Sequence, residues 1–164
     1  MKITPLIPVL ALVLLTSCAP DRRASTPSRK QQLASECATA MNAKDYAKAQ
    51  TLAAEAARLD PQFAEAWVEY GMASVRLGQA GRAREAYERA LALHQARHRK
   101  NPSDASQVLQ LIFVLTLLGR TAEAETLLEQ ARTDYPNDWQ IARLTAEGFA
   151  SMKQGYESVT VEAK

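Results

Sequence analysis

Two histidines, His94 and His98, stand four residues apart in the stretch LALHQARHRK. A helix would carry both imidazoles on one face, which is a spacing used to hold divalent metals. No Glu or Cys stands beside them. The neighbours are Arg97, Arg99 and Lys100, whose charge opposes a cation, so the pair reads instead as the solvated basic end of a long helix, favoured there by the helix dipole. Arg84 with Glu88 and Glu85 with Arg89 read as i, i+4 support on an exposed helix face. The sequence has no G-x-S-x-G, no phosphate-binding loop and no CxxC. The residues therefore predict neither a catalytic centre nor a metal or cofactor, and the chain is not expected to be an enzyme.

Composition agrees with a helical, non-enzymatic chain. Of 164 residues, 30 are Ala and 19 are Leu against six Gly, and these two residues lose least on entering a helix. An all-β fold is excluded. With 23% charged side chains and a formal charge of +2, the chain is too balanced for a nucleic-acid binder or a basic membrane-surface protein. Two cysteines cannot form a dense disulfide scaffold.

Residues 1–17 have the parts of a secretory signal: Lys2, an apolar run from Ile3 to Leu15, then Thr16 and Ser17. The run is too short to span a bilayer, which needs about 20 apolar residues. Leu15-Thr16-Ser17-Cys18 resembles the bacterial lipobox, and that resemblance implies cleavage before Cys18 and a lipid-modified, palmitate-bearing cysteine at the new N-terminus. Two or three acyl chains would make a stable anchor where one is marginal. Ala19, rather than Asp, after the cysteine leans towards the outer membrane, facing the periplasm. Residues 18–29 continue as a Pro-, Ser- and Arg-rich tether, whose coil would set the folded part about 20 Å from the membrane. Cys37 is then left without a partner within the chain and should behave as a small buried hydrophobe.

The remaining sequence repeats itself. Trp67, Gly71, Ala83, Tyr87 and Ala90 fall at positions 4, 8, 20, 24 and 27 of a unit that begins at Ala64. A copy beginning at Lys30 has Leu33, Cys37, Ala49, Ala53, Ala56 and Pro61 in register, and one beginning at Ala105 has Val108, Ile112, Ala124, Leu128, Ala131 and Pro136. This pattern resembles the tetratricopeptide repeat, in which small residues at 8, 20 and 27 stand where helices approach most closely. The resemblance implies an all-α superhelical solenoid of three helix-turn-helix repeats, at 30–63, 64–104 and 105–138, closed by an amphipathic capping helix at 138–154 before a tail at 155–164. The isoleucine at position 8 of the third unit should hold its two helices further apart. The middle unit has Gln95 where the others have proline, and Pro102 follows seven residues later. Seven residues are close to two full helical turns, so its second helix can run two turns longer with its buried face unchanged. Leu77-Gly78 and Leu118-Gly119 should end the first helices of units two and three. Asp60-Pro61 and Tyr135-Pro136 should end the second helices of units one and three. Asn137-Asp138 offers an N-cap to the last helix, whose apolar face would carry Ile141, Leu144, Gly148, Phe149 and Met152.

In this family the first helices of successive units line a concave groove that holds peptides or partner helices. Matched to the register, that surface comprises Ala34, Ala38 and Met41 in unit one, Val68, Met72, Val75 and Arg76 in unit two, and Leu109, Phe113 and Leu117 in unit three, with Gln31, Asn42, Glu65, Ser106 and Thr116 at its margins. Its centre is apolar. The several Lys, Arg and Asn that a carboxylate clamp needs are not in it. The segment LQLIFVLTLLG is apolar on nearly every side, which a helix normally shows only when buried all round. Three explanations stand: the capping helix or tail fills the groove, two copies associate through it, or an apolar partner segment docks there. The function these features imply is a membrane-anchored periplasmic adaptor or assembly factor that binds another protein, as in pilus, secretion or outer-membrane assembly. The alternative is a self-associating structural lipoprotein of the envelope.

Overall fold

The computed structural model describes residues 28–144, and these form helices α1 (Arg29–Asn42), α2 (Tyr46–Leu59), α3 (Ala64–Arg76), α4 (Ala80–Lys100), α5 (Ala105–Leu117), α6 (Thr121–Asp134) and α7 (Trp139–Arg143). No strand occurs among the described residues. Consecutive helices pack as antiparallel pairs α1/α2, α3/α4 and α5/α6, each pair stacking on the next. The signal segment and Cys18, the tether to residue 27, and the capping-helix and tail residues from 145 onward lie outside the described residues. Among the described residues, no helix is long and apolar enough to cross a membrane.

The repeat register explains the packing. Cys37, Ala49 and Ala56 in the first pair, Ala83 and Ala90 in the second, and Ile112, Ala124 and Ala131 in the third are all buried to 2% exposure or less. Gly71 is buried too, and its backbone lies so close to the Tyr87 ring that an added Cβ would meet Cε1 at 2.3 Å. The bulky residue at position 8 of the third unit has the expected effect, since α5 and α6 approach each other closely over less of their length than the other two pairs do. One larger apolar cluster joins α3 to α7, and two smaller ones join α1, α2 and α3. A polar link adds to the apolar contact between α2 and α3: Gln50 Nε2 donates to Ser74 Oγ at 2.8 Å and, at the start of α4, to Gln79 Oε1 at 2.7 Å, and Ser74 Oγ donates to the Tyr70 carbonyl at 2.7 Å.

Helix ends follow the local sequence. Gly78 and Gly119 have φ of 71° and 72°, the left-handed conformation that lets the chain turn out of α3 and α5. Helices α2 and α6 stop at Leu59 and Asp134, just ahead of Asp60-Pro61 and Tyr135-Pro136. The Asp138 carboxylate caps α7 by accepting from the Gln140 and Ile141 amides. At the first unit the matching turn position is occupied by Lys44, at φ 60°, a conformation that costs an L-residue about 1–2 kcal/mol. Lys44→Gly is therefore expected to stabilise the fold by about 0.5–1 kcal/mol, after the greater freedom of glycine in the unfolded chain is subtracted. Thermal melting would read this as a rise of a few degrees, and a fall would show that the lysine side chain contributes more than its backbone costs.

The seven-residue extension runs as one continuous helix, giving α4 21 residues against 14 in α2 and in α6. Its buried face continues as the periodicity requires, and its last turn is basic with Arg99 and Lys100 exposed, as the sequence suggested, but His94 and Arg97 are drawn into the structure. His94 has no exposed surface and His98 is half-buried. Arg97 Nη1 bonds Glu65 Oε1 at 2.9 Å and Nη2 bonds the Gln62 carbonyl at 2.7 Å, which fastens the extension across the start of α3. The surface pairing also differs from expectation. Glu88 reaches Arg120 on the next unit, at 3.7 Å, rather than Arg84 on its own helix.

Candidate protein-binding groove

The first helices of the units present the residues that the register assigns to the groove. Val68, on α3, and Leu117, on α5, belong to the main apolar cluster at 8% and 3% exposure, and Met72, Val75, Leu109 and Phe113 pack against that cluster while remaining partly accessible. These six side chains, from two helices of adjacent units, thus belong to or pack against one apolar cluster. Met41 lies in a separate small cluster with Tyr70 and Ala73. Ala34 is half-buried, whereas Ala38 and Arg76 are exposed. The all-round apolar character of α5 is matched by its burial: Val108, Leu111, Ile112, Val114, Leu115, Thr116 and Leu117 are all at 6% exposure or less. Thr116 satisfies its hydroxyl by donating to the Ile112 carbonyl at 2.8 Å.

Polar chemistry collects at one end of this surface, and the register alone did not show it. Glu65 and Glu69 occupy successive turns of α3, so they share a face. Burial pushes the Glu65 carboxyl up, but a backbone hydrogen bond and the Arg97 guanidinium outweigh it and hold it below the ordinary range. Glu69 has no such cation. Burial, helped by the charge of Glu65, raises it to about 7 against the opposing influence of the nearby Cys37. Cys37 itself is pushed up to about 12 by burial and by Glu69, and its Sγ contacts the Ala49 carbonyl at 3.3 Å. The thiol is thus the inert buried hydrophobe expected from cysteine counting. His94 contacts Gln107 Oε1 on α5 through Nδ1 at 3.2 Å, and burial lowers its pKa, so the ring is neutral near pH 7.

Among the described residues no group of three or more His, Cys, Asp and Glu is placed to hold a metal ion. A depression of about 390 Å³ on α6, lined by Ala122, Glu123, Thr126, Leu127 and Gln130, contains a single titratable side chain, and Arg120 already pairs with it at 2.7 Å.

Known proteins bear on the fold. The family model of the tetratricopeptide repeat matches residues 64–96, the helix pair α3/α4 with Gly71, Ala83, Tyr87 and Ala90. No curated protein sequence matches the chain. Among solved structures, the type III secretion translocator chaperone SycD of Yersinia enterocolitica is similar, with a TM-score of 0.51 at 19% identity, covering 81% of this chain and 95% of that one. At that identity the likeness speaks for the fold alone. Residues 64–96 match a tetratricopeptide repeat, and the helix pairs before and after them continue the same all-α helical-repeat stack.

Proposed function

We propose that this protein is a membrane-anchored periplasmic adaptor or assembly factor that captures an apolar helix or extended segment of another protein in its concave groove. The observation that carries the reading is the shared apolar surface of Val68, Met72, Val75, Leu109, Phe113 and Leu117, four of which keep accessible area on the first helices of two stacked units. Apolar anchors presented by a rigid scaffold are the usual core of a binding surface, and a groove between first helices suits a helical or extended ligand. The resemblance of residues 15–18 to a lipobox supports a lipid anchor on Cys18, facing the periplasm and belonging to the outer membrane. Anchoring would concentrate the groove at a membrane, and the tether would let it search, so binding strengthens through effective concentration without added contacts. The similarity in fold to a secretion chaperone fits an assembly role in pilus, secretion or outer-membrane biogenesis.

Photo-crosslinking in cells from a probe at Phe113 tests the groove. A discrete partner is expected, and Met72→Glu in the same chain should abolish the adduct while far-UV circular dichroism keeps its helical signal. An unchanged set of partners with Phe113→Asp and Met72→Glu, the fold intact, overturns the reading. Mass spectrometry of the membrane-extracted chain tests the anchor, with Cys18 expected at the N-terminus carrying a diacylglyceryl group. The partly accessible Leu109 and Phe113 on α5 also suit a self-associating structural lipoprotein that uses the groove as an oligomer interface. Light scattering on the full chain in detergent separates the two, because a monomer over a wide concentration range argues against self-association.

A further inference from the structure

We propose that the packing of α4 on α5 is a pH-sensitive joint, in which protonation of the buried His94 loosens unit three, which carries one wall of the groove, from unit two, which carries the other. The joint is independent of what the groove binds.

The stack is held unevenly. Unit one meets α3 through both α1 and α2, whereas unit three is joined to unit two chiefly by α5 on α4. Val68, Met72 and Val75 stand on α3 and Leu109, Phe113 and Leu117 on α5, so the two sets of groove residues belong to units on opposite sides of that one contact. His94 lies inside it. The side chain has no exposed surface, and its Nδ1 meets Gln107 Oε1, on the first turn of α5, at 3.2 Å. The Gln107 amide nitrogen is turned to Ser106 Oγ, at 3.5 Å, so its oxygen is the atom that faces the ring and Nδ1 carries the proton. Nε2 is then a lone pair, buried with no hydrogen-bond partner.

A neutral imidazole suits this place and a charged one does not. Protonation puts a second N–H at Nε2, which has no partner, and a charge in an interface closed to water, and both are costly in a protein interior. The surrounding groups do not offset this. On α3, Glu65 attracts the charge, but its carboxylate already bonds Arg97 at 2.9 Å, and Arg97 on α4 repels a second cation. His98 follows one turn along α4 and supplies no anion. Helix α5 carries no ionisable residue, and Asp104 at its cap is engaged by the Ser106 amide and hydroxyl at 3.0 and 2.5 Å. Burial accordingly lowers the His94 pKa from 6.5, Arg97 adding to the effect while Gln107 and Glu65 oppose it. The ring thus stays neutral in the closed joint at a pH where, exposed in the open joint, it is protonated. Stability of the joint is complete above pH 6.5 and is lost as pH falls below it, with opening eased by up to about tenfold per pH unit.

Hydrogen exchange of the full chain in detergent tests the joint, read by mass spectrometry between about pH 7.5 and pH 5.5 and corrected for the intrinsic exchange rate. Protection of α5 and α6 should fall several-fold relative to that of α1 and α2 as the pH is lowered. His94→Gln keeps a side chain that can donate to Gln107 but takes up no proton, and it should remove that relative fall. Gln107→Glu leaves His94 in place and gives the protonated ring a carboxylate partner, so it should reverse the trend; it also keeps the test decisive where His94→Gln does not fold. Glu69 binds its proton in the same range, but it does so in wild type and variants alike and cancels between them. A wild-type chain whose α5 and α6 hold or gain relative protection in acid, as pairing of His94 with Glu65 would produce, overturns the proposal. An equal relative fall in wild type and variants overturns it too.

Discussion

Gly71→Ala is expected to destabilise the protein by about 2 kcal/mol, visible as a drop of several degrees in melting temperature. The new Cβ would lie 2.3, 2.6 and 2.9 Å from Cε1, Cδ1 and Cζ of Tyr87. Those atoms belong to a rigid ring at 4% exposure, not to the free end of a flexible side chain, so relief requires the ring or α4 to move. Overpacking of a core typically costs 1–3 kcal/mol, and this contact is severe enough to exceed that range. The gain of about 1 kcal/mol from replacing glycine by alanine in a helix is then subtracted. A second variant separates this cause from a general intolerance of the position. In unit three the same two places hold Ile112 and Leu128, at 0% and 3% exposure, so a branched aliphatic residue at position 24 accommodates a side chain at position 8. Tyr87→Leu should therefore rescue Gly71→Ala, and the double variant should be more stable than the sum of the single changes allows, a coupling of the kind expected of residues in contact. If urea titration finds Gly71→Ala as stable as wild type, the ring is not seated against the glycine.

The same pair explains why the fold was legible. Positions 8 and 24 change together along the chain, as Cys37 with Ala53, Gly71 with Tyr87 and Ile112 with Leu128, because each couple fills one gap between the helices of a unit. Alanine at 20 and 27 is fixed by the close approach of backbones, and glycine or proline at the helix ends by backbone conformation. These constraints are local or recur every 34 residues, so one sequence exposes them. The extension of α4 was legible in length for the same reason, since seven residues conserve helical phase.

Its environment was not legible. A run with Arg97, His98, Arg99 and Lys100 has the composition of a solvated helix end, and only tertiary structure shows that Arg97 crosses to Gln62 and Glu65, 35 and 32 residues earlier, or that His94 meets Gln107, 13 residues later. A pairing that occurs once leaves no periodic mark. The groove positions come from the family register; Val68, Met72, Val75, Leu109, Phe113 and Leu117 belong to or pack against one apolar cluster, whereas Ala34 and Ala38 carry too little side chain to join it. The carboxylates of Glu65 and Glu69 went unweighted because acidic residues one turn apart on a helix are usually solvated.

Glu69→Gln is expected to stabilise the protein at pH 8 and to leave it nearly unchanged at pH 5. In the folded chain the carboxyl is raised from 4.5 to about 7 by burial and by the charge of Glu65. A group whose folded pKa lies above its unfolded value adds stability that is complete below the unfolded pKa and is lost as pH rises through the folded one. The loss for Glu69 thus spans about pH 4.5 to 7 and is complete by pH 8. A shift of that size corresponds to about 3 kcal/mol at 1.36 kcal/mol per unit, but the side chain is only half-buried and solvent screens it, so about 1–2 kcal/mol is expected. Glutamine copies the protonated form, since it has the same shape and never ionises. Other groups move in the same window, with His94 lowered by burial and so withdrawing stability as pH falls below its unfolded value near 6.5. They act equally in both chains and cancel in the difference. Urea midpoints of wild type and variant at pH 5, 6.5 and 8 should therefore diverge steadily with pH. Parallel curves would mean that Glu69 ionises freely in the folded chain.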